Sequence, residues 1–276
     1  MRRPRSAYRR WLLKSSTAAI WTLRGSGIAL LCVPIALIIF LSFSDDPYTL
    51  IPPTGYSLRW YHNIFAEREF IDGFIISLCV ALIVTPISVV VGTLSAYSLW
   101  RWPSPLARPL EQLLLSPLML PLVVTGLALL LFYSHIGSTA SFWNIVVAHV
   151  IITFPFSFRA VLAVLSRYDR QLDEAAASLR VSPRAGFVHV TLPLIRPGLF
   201  AGALFAFVMS FDDFAVTIFL IDPGTRTLPI VIYQYMEWNL DPTVSAVSAI
   251  LILMTVSFTL LIEKVMGLDR FLGIRN

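Results

Sequence analysis

The chain has 276 residues, 57% of them hydrophobic and only 13% charged, with a net charge of +5. That balance excludes an ordinary soluble domain, and apolar runs of about 20 residues, long enough to cross a bilayer core, recur along it. The positive charge does not point to nucleic acid, because Lys and Arg cluster at the ends of the apolar runs. Cys32 and Cys79 lie inside such runs, so no disulfide framework is expected.

Residues 1–26 carry seven basic residues (Arg2, Arg3, Arg5, Arg9, Arg10, Lys14, Arg24) and no acid. The apolar run Gly27–Ser44 follows. A secretory signal begins in a similar way. Here the basic segment and the run are both long, and Asp45-Asp46-Pro47 stands where a small-residue cleavage site would be, so an uncleaved first span is expected. Residues 45–69 are polar and rich in turn formers (Pro47, Pro52, Pro53, Gly55). Within them Ser57–Tyr61 opens a short amphipathic piece whose Trp60, Tyr61, Ile64 and Phe65 suit an interfacial helix. A second span lies within Phe70–Trp100, longer than one crossing needs, with Pro86 and Gly92 as candidate bends. The basic turn Arg101–Pro109 leads to a third span near Leu110–Tyr133, which contains Pro117 and Pro121. His135–Ser141 is a turn, and a fourth span runs near Phe142–Leu165, interrupted by Pro155.

Next comes a polar stretch, then a fifth span near Gly198–Ile221 and the turn Asp222-Pro223-Gly224. Residues 225–243 are polar and aromatic, with Tyr233, Tyr235 and Trp238, and a sixth span occupies about Val244–Met266. The expected organisation is a basic cytoplasmic segment 1–26, one membrane domain 27–266 without internal repeat, and a cytoplasmic tail 267–276. With the N-terminus inside, the inner segments hold 18 basic residues and the outer ones only Arg59, Arg68 and Arg226. The positive-inside rule therefore puts both termini, and the polar stretch after the fourth span, in the cytoplasm.

That polar stretch, about 169–196, is the most structured of the interruptions. Leu172, Ala175, Ala176 and Leu179 fall at helical spacing on one face, and Asp173 and Glu174 sit where carboxylates favour a helix start. Ser182-Pro183 then reads as a fresh N-cap and first helical residue. A second short helix, 183–190, is expected, with Thr191-Leu192-Pro193 ending it. From spacing alone, an amphipathic helix resting on lipid headgroups fits as well as a docking element. Glu174-Ala175-Ala176, followed at the family's intervals by Val190 and Leu192-Pro193, resembles the EAA loop of ABC importer permeases. Val190 stands for the family's Ile and Arg180 for its Gly, leaving Ser182-Pro183 to supply the bend. The resemblance implies an all-α, six-helix permease of the type I importer (MetI-like) fold. It also implies that Glu174, Ala175, Ala176, Leu179, Ser182, Pro183, Gly186, Leu192 and Pro193 form the contact to an ATPase subunit.

No GxxxxGK[ST] occurs, so the chain holds no phosphate-cradling loop of its own. No HExxH or Cys/His cluster suggests a metal, and His62, His135, His149 and His189 are scattered. His149 could relay protons, although a lone His among apolar residues more often hydrogen-bonds within its bundle. Ser210-Phe211-Asp212-Asp213-Phe214, in an apolar run after Leu192-Pro193, resembles the spermidine/putrescine-type permeases, as do Leu228-Pro229-Ile230 and Asp241-Pro242. Carboxylates at membrane depth are costly and must face protein or water. On one helix the two would point about 100° apart, in the outer half of the bilayer core about 30 Å thick. Two readings of the pair stay open: a translocation-path site of Asp212, Asp213, Phe211 and Phe214 favouring a cation, or a structural cap and a subunit contact.

What the resemblance implies is a permease subunit importing a small solute, a polyamine first. It implies a second permease subunit, two ATPase subunits that hold ATP and Mg, and a periplasmic binding protein, with no cofactor on this chain. Other amines, phosphonate, iron and thiamine are alternative cargoes. An ATP-independent carrier or channel is the other transport class, and an assembled catalytic constellation for a membrane enzyme is missing from the sequence.

Overall fold

A chain that must satisfy its backbone polar groups without water folds as helix, and the computed structural model is helical almost throughout. It describes residues 5–48, 50–102, 104–139, 142–167, 181–239 and 241–266. In order these form α1 (Arg5–Leu41), α2 (Arg59–Ala66), α3 (Arg68–Arg101), α4 (Ala107–Leu115), α5 (Leu122–His135), α6 (Phe142–Leu165), α7 (Leu192–Phe211), α8 (Leu228–Trp238) and α9 (Thr243–Met266). Among the described residues the only β pairing is two isolated bridges, Ser44 with Tyr56 and Asp222 with Thr225. The chain divides into two compact units, Glu67–Tyr235 and the remainder, Met1–Ala66 with Met236–Asn276.

Four described stretches are long and apolar enough to cross a bilayer: Trp21–Leu41, Arg68–Arg101, Phe142–Leu165 and Arg184–Phe211. The α4–α5 pair makes a fifth if counted as one span, and Thr243–Ser257 is a shorter apolar helix.

The larger unit is built on α3, α6 and α7, which pack on one another. The buried face of α3 reads Phe70, Gly73, Ser77, Val80, Ala81, Val84, Ser88, Gly92, Thr93 and Ala96, a helical stripe of mostly small or hydroxylic residues. Its large side chains, among them Ile75, Leu82, Val90 and Leu94, are exposed. That polarity is reversed relative to a soluble protein. Lipid removes the hydrophobic drive between helices, leaving close backbone packing and interhelical hydrogen bonds to hold them. Both are present. A Cβ on Gly92 would lie 2.6 Å from Phe158 N, and one on Gly202 would lie 2.8 Å from Ser157 Cα, so α3 and α7 both press against α6 near Ser157. Ser157 Oγ donates to Gly202 O at 3.1 Å, and Ser88 and Thr153 hydroxyls meet at 2.8 Å. Apolar clusters lie on either side, one around Val80, Val84, Ile145 and Ile152, the other around Ala96, Phe158, Val161 and Ile195.

The expected spans are corrected in two places. Leu110–Tyr133 is not one straight helix: after a short 3-10 turn, Ser116–Met119, the chain bends by 99° into α5. Leu120 is extended, with φ −91° and ψ 139°, the conformation forced on a residue that precedes proline, here Pro121. The fifth span is also shifted. Thr191-Leu192-Pro193 does not end a helix, because a π-helical turn, Phe187–Thr191, carries the chain from Pro183–Gly186 straight into α7. The wider turn lets Leu192 N reach back to Phe187 O, and Pro193, which has no N–H to give, follows directly on it. At its other end α7 stops at Phe211, well before the expected Ile221. Pro86 and Pro155, by contrast, leave α3 and α6 unbroken.

In the smaller unit the short helix expected from Trp60, Tyr61, Ile64 and Phe65 is α2, which buries Trp60 and Ile64. Trp60 Nε1 donates to Ser44 O at 2.8 Å, and Tyr61 OH meets Ser42 Oγ at 2.7 Å. Asn63 Nδ2 donates to Thr243 Oγ1 at 3.0 Å. Between α1 and α2 a loop closes on itself through Asp45 N to Gly55 O and Ser57 N to Phe43 O. Asp46 sits inside it and takes hydrogen bonds from the hydroxyl and the N–H of Thr54. These bonds, the hydroxyl's first, hold the Asp46 carboxyl below its ordinary 3.8. A lowered pKa in the fold means that the contribution is complete above the ordinary value and is lost as pH falls through the lowered one. Amide exchange in residues 45–57, corrected for intrinsic rates, should therefore stay slow from neutral pH down to about pH 5 and quicken in stronger acid. In Thr54→Val it should be fast throughout; equal protection in the variant would contradict the assignment.

Candidate functional site

The two adjacent acids expected within a helix lie where α7 breaks. Asp212 is the last residue to benefit from the helix, its N–H donating to Val208 O at 3.1 Å, while its backbone already departs from helical geometry. Asp213 has left the helix. Its Oδ2 accepts from Val216 N (3.2 Å), Thr217 N (2.9 Å) and Thr217 Oγ1 (2.9 Å), which caps the 3-10 turn Thr217–Phe219. A non-helical segment exposes N–H groups that lipid cannot satisfy, and a carboxylate supplies the acceptors.

His149 of α6 completes this arrangement. It is fully buried, with Nε2 2.8 Å from Thr217 Oγ1 and 3.4 Å from Asp213 Oδ2, and Nδ1 2.9 Å from Ser210 Oγ. The Thr217 hydroxyl spends its proton on Asp213, so toward His149 it can only accept, and Nε2 carries the ring proton. The Ser210 hydroxyl occupies the other nitrogen, so both ring nitrogens have a partner.

The neighbouring acid is placed differently. Asp212 is exposed, and among the described residues its side chain makes no hydrogen bond or ion pair. Aromatic rings gather at the break. Phe211 is buried against Phe74 (centroids 5.8 Å apart) and Phe207 (5.9 Å), and half-buried Phe214 lies 5.0 Å from the exposed Tyr233. Of the four expected path residues, then, Asp213 and Phe211 face inward, Phe214 lies between, and Asp212 alone is exposed. The sequence marks Tyr233 only as part of an aromatic stretch and Ser210 only as the first residue of the Ser210–Phe214 motif, and it does not mark Thr217, because single hydroxyls in apolar runs carry no periodic signal.

At the other end of α7, Ser182 Oγ accepts from Ala185 N at 3.3 Å, the N-cap expected of Ser182-Pro183. Gly186 has open space around its Cα, and Leu192 and Pro193 are half-buried in the first turn of α7. Glu174, Ala175, Ala176 and Leu179 lie outside the described residues. His189 is exposed and bonds Ala185 O at 2.9 Å. No group of three metal-ligating side chains occurs among the described residues.

Residues 88–267 match the family described as binding-protein-dependent transport system inner membrane component. The chain is 27% identical over 237 residues to the spermidine/putrescine transport system permease protein PotC of Haemophilus influenzae, covering 86% of this chain and 92% of that one. It is 28% identical over 236 residues to the putrescine transport system permease protein PotI of Escherichia coli K12, with 82% and 83% covered. A putative 2-aminoethylphosphonate transport system permease protein, PhnV of Salmonella paratyphi A, is 24% identical over 235 residues, with 84% and 88% covered. Among solved structures, the MetNI methionine ABC transporter in inward-facing form matches with a TM-score of 0.61 at 18% identity, over 71% of this chain and 94% of that one. A bacterial ABC transporter importing the acidic polysaccharide alginate matches with 0.65 at 14% identity, over 97% and 98%. These two likenesses concern the fold, and they bear out the all-α permease architecture expected from the sequence.

Proposed function

Because this chain belongs to the binding-protein-dependent transport system inner membrane components, and so is a multi-pass transport subunit rather than an enzyme, we propose that it imports a small amine, a polyamine first, at the expense of ATP hydrolysed by partner subunits. The observation that carries the reading is the family match over residues 88–267. Support for the cargo is chemical. The names of the relatives, spermidine, putrescine and 2-aminoethylphosphonate, share a protonated amine, and the exposed carboxylate of Asp212 is the complementary charge.

In this reading six spans place both termini in the cytoplasm of a bacterial inner membrane. The chain pairs with a second, different permease subunit, receives its cargo from a periplasmic binding protein, and passes it along the Asp212 side of the α7 break by alternating access. The loop at 169–196 docks on an ATPase, which holds the ATP and Mg. Glu174 offers that partner a charge, and the helix opened by Ser182 and Pro183 runs without interruption into α7. Motion at the dock is thereby handed directly to the site.

The test is uptake of radiolabelled putrescine into proteoliposomes holding the whole complex. Uptake should require ATP inside the compartment that contains the ATPase. Glu174→Lys should lower it by about tenfold or more, as expected when a docking charge is reversed, while the chain stays inserted. Uptake that continues without ATP would favour a secondary carrier and overturn the proposal.

A further inference from the structure

A fully buried histidine bonded on both ring nitrogens is not needed to hold α6 and α7 together. The contact of Gly202 with Ser157 already does that, about two turns away from the histidine on each helix. What His149 holds is the break itself. One nitrogen grips Ser210, in the last turn of α7, and the other grips Thr217, the first residue of the 3-10 turn. These two residues flank Asp212 and Asp213, so the ring is a strut across the gap between the two helical pieces. The strut also decides which acid is used up. Thr217, oriented by Nε2, gives its proton to Asp213, which then has its Oδ2 filled by three donors and is buried. Asp212, one residue earlier, is left exposed.

We propose that His149 and Thr217 are positioning residues: by fixing the break in α7 they commit Asp213 to the cap and aim Asp212 at the passing cation. This rests on the path reading of Asp212 given above, and it adds residues that touch no cargo. It also accounts for a buried imidazole in an apolar helix, since both ring nitrogens are held.

The experiment uses the whole complex in proteoliposomes, with radiolabelled putrescine as probe, and compares Thr217→Val, Thr217→Ser, Asp212→Asn and the double variant Thr217→Val/Asp212→Asn. Valine keeps the shape of threonine and removes the hydroxyl, whereas serine keeps the hydroxyl. Thr217→Val should raise KM for putrescine by about tenfold, the scale of a small misplacement of a binding group, with maximal ATPase rate and complex yield within about twofold. Thr217→Ser should stay within about twofold of the parent, and the double variant should be no worse than Asp212→Asn alone, because the two act on one interaction. Multiplying effects in the double variant, or equal losses in serine and valine, would overturn the proposal.

A second readout separates this inference from the path reading. In a background with exposed Cys32 and Cys79 replaced, a cysteine introduced by Asp212→Cys is labelled with an aqueous thiol reagent. Thr217→Val, or His149→Ala should the valine fail to assemble, must change the labelling rate; an unchanged rate sinks the positioning role. Normal uptake in Asp212→Asn sinks the path reading, and the labelling result still judges the strut.

Discussion

Gly92→Leu is expected to abolish accumulation of the folded protein. A leucine in any rotamer starts from a Cβ, and at this position that atom would meet Phe158 N at 2.6 Å, Ser157 Cβ at 2.8 Å and Phe154 O at 3.0 Å. Two of these atoms are backbone in the middle of α6, so no side-chain rotation relieves the clash. Only separation of α3 from α6 does, and separation also breaks the Ser88–Thr153 hydrogen bond. Overpacking a core normally costs roughly 1–3 kcal/mol, and a clash with two backbone groups lies at or beyond the top of that range. Gly27→Leu is the matched control, because nothing lies within 4 Å of a Cβ there. Membrane yield and thermal stability in detergent should collapse for Gly92→Leu and hold for Gly27→Leu. Equal yields would show that the α3–α6 contact is not as close as described.

The second large effect separates two neighbouring acids. Asp213→Ala removes the acceptor of three hydrogen bonds in a buried setting and strands Val216 N and Thr217 N. Each stranded buried group costs about 1–3 kcal/mol, so the complex should lose several degrees of thermal stability or fail to assemble. Asp212→Asn strands nothing, since that side chain is exposed and makes no bond among the described residues. Assembly should be normal there, and putrescine uptake should fall by about tenfold or more if the carboxylate contacts a cation in transit. A melting temperature lowered as much by Asp212→Asn as by Asp213→Ala would erase the distinction between the two.

Both expectations depend on features with very different visibility in the sequence. The ranges of α3 and α6 were legible almost to the residue, because long apolar runs bounded by Arg or turn formers leave little choice of boundary. Ser182-Pro183 was equally legible as a helix start, since cap chemistry is local. The bend at Leu120-Pro121 and the end of α7 at Phe211 were not. Apolar residues continue past both, and whether a membrane helix goes on through such a point depends on what satisfies the freed carbonyls and N–H groups from other elements. Pro86 and Pro155 are passed without a break, whereas Pro121 is not. At the candidate site, the cost of carboxylates in an apolar run drew attention to the two acids that stand where α7 breaks. Their different settings, one buried and bonded and one exposed, involve His149 on α6, 64 residues before Asp213, a pairing that no local pattern encodes.

The unbroken length of α3 has a mechanical consequence. Its tightest contact, Gly92 against Phe158, divides the helix into an arm of about 36 Å back to Arg68 and one of about 14 Å on to Arg101, at 1.5 Å per residue. A rigid rod pivoting there is a lever with unequal arms, so a displacement at the Arg101 end appears about 2.7 times larger, and reversed, at the Arg68 end. The long arm carries a load as well: Gly73 lies against Leu228 and Val231, and Ser77 Oγ accepts Leu228 N at 2.9 Å. Those contacts lie about 28 and 22 Å from the pivot, so an ångström of displacement at the short end corresponds to roughly 2 Å where α3 meets the start of α8.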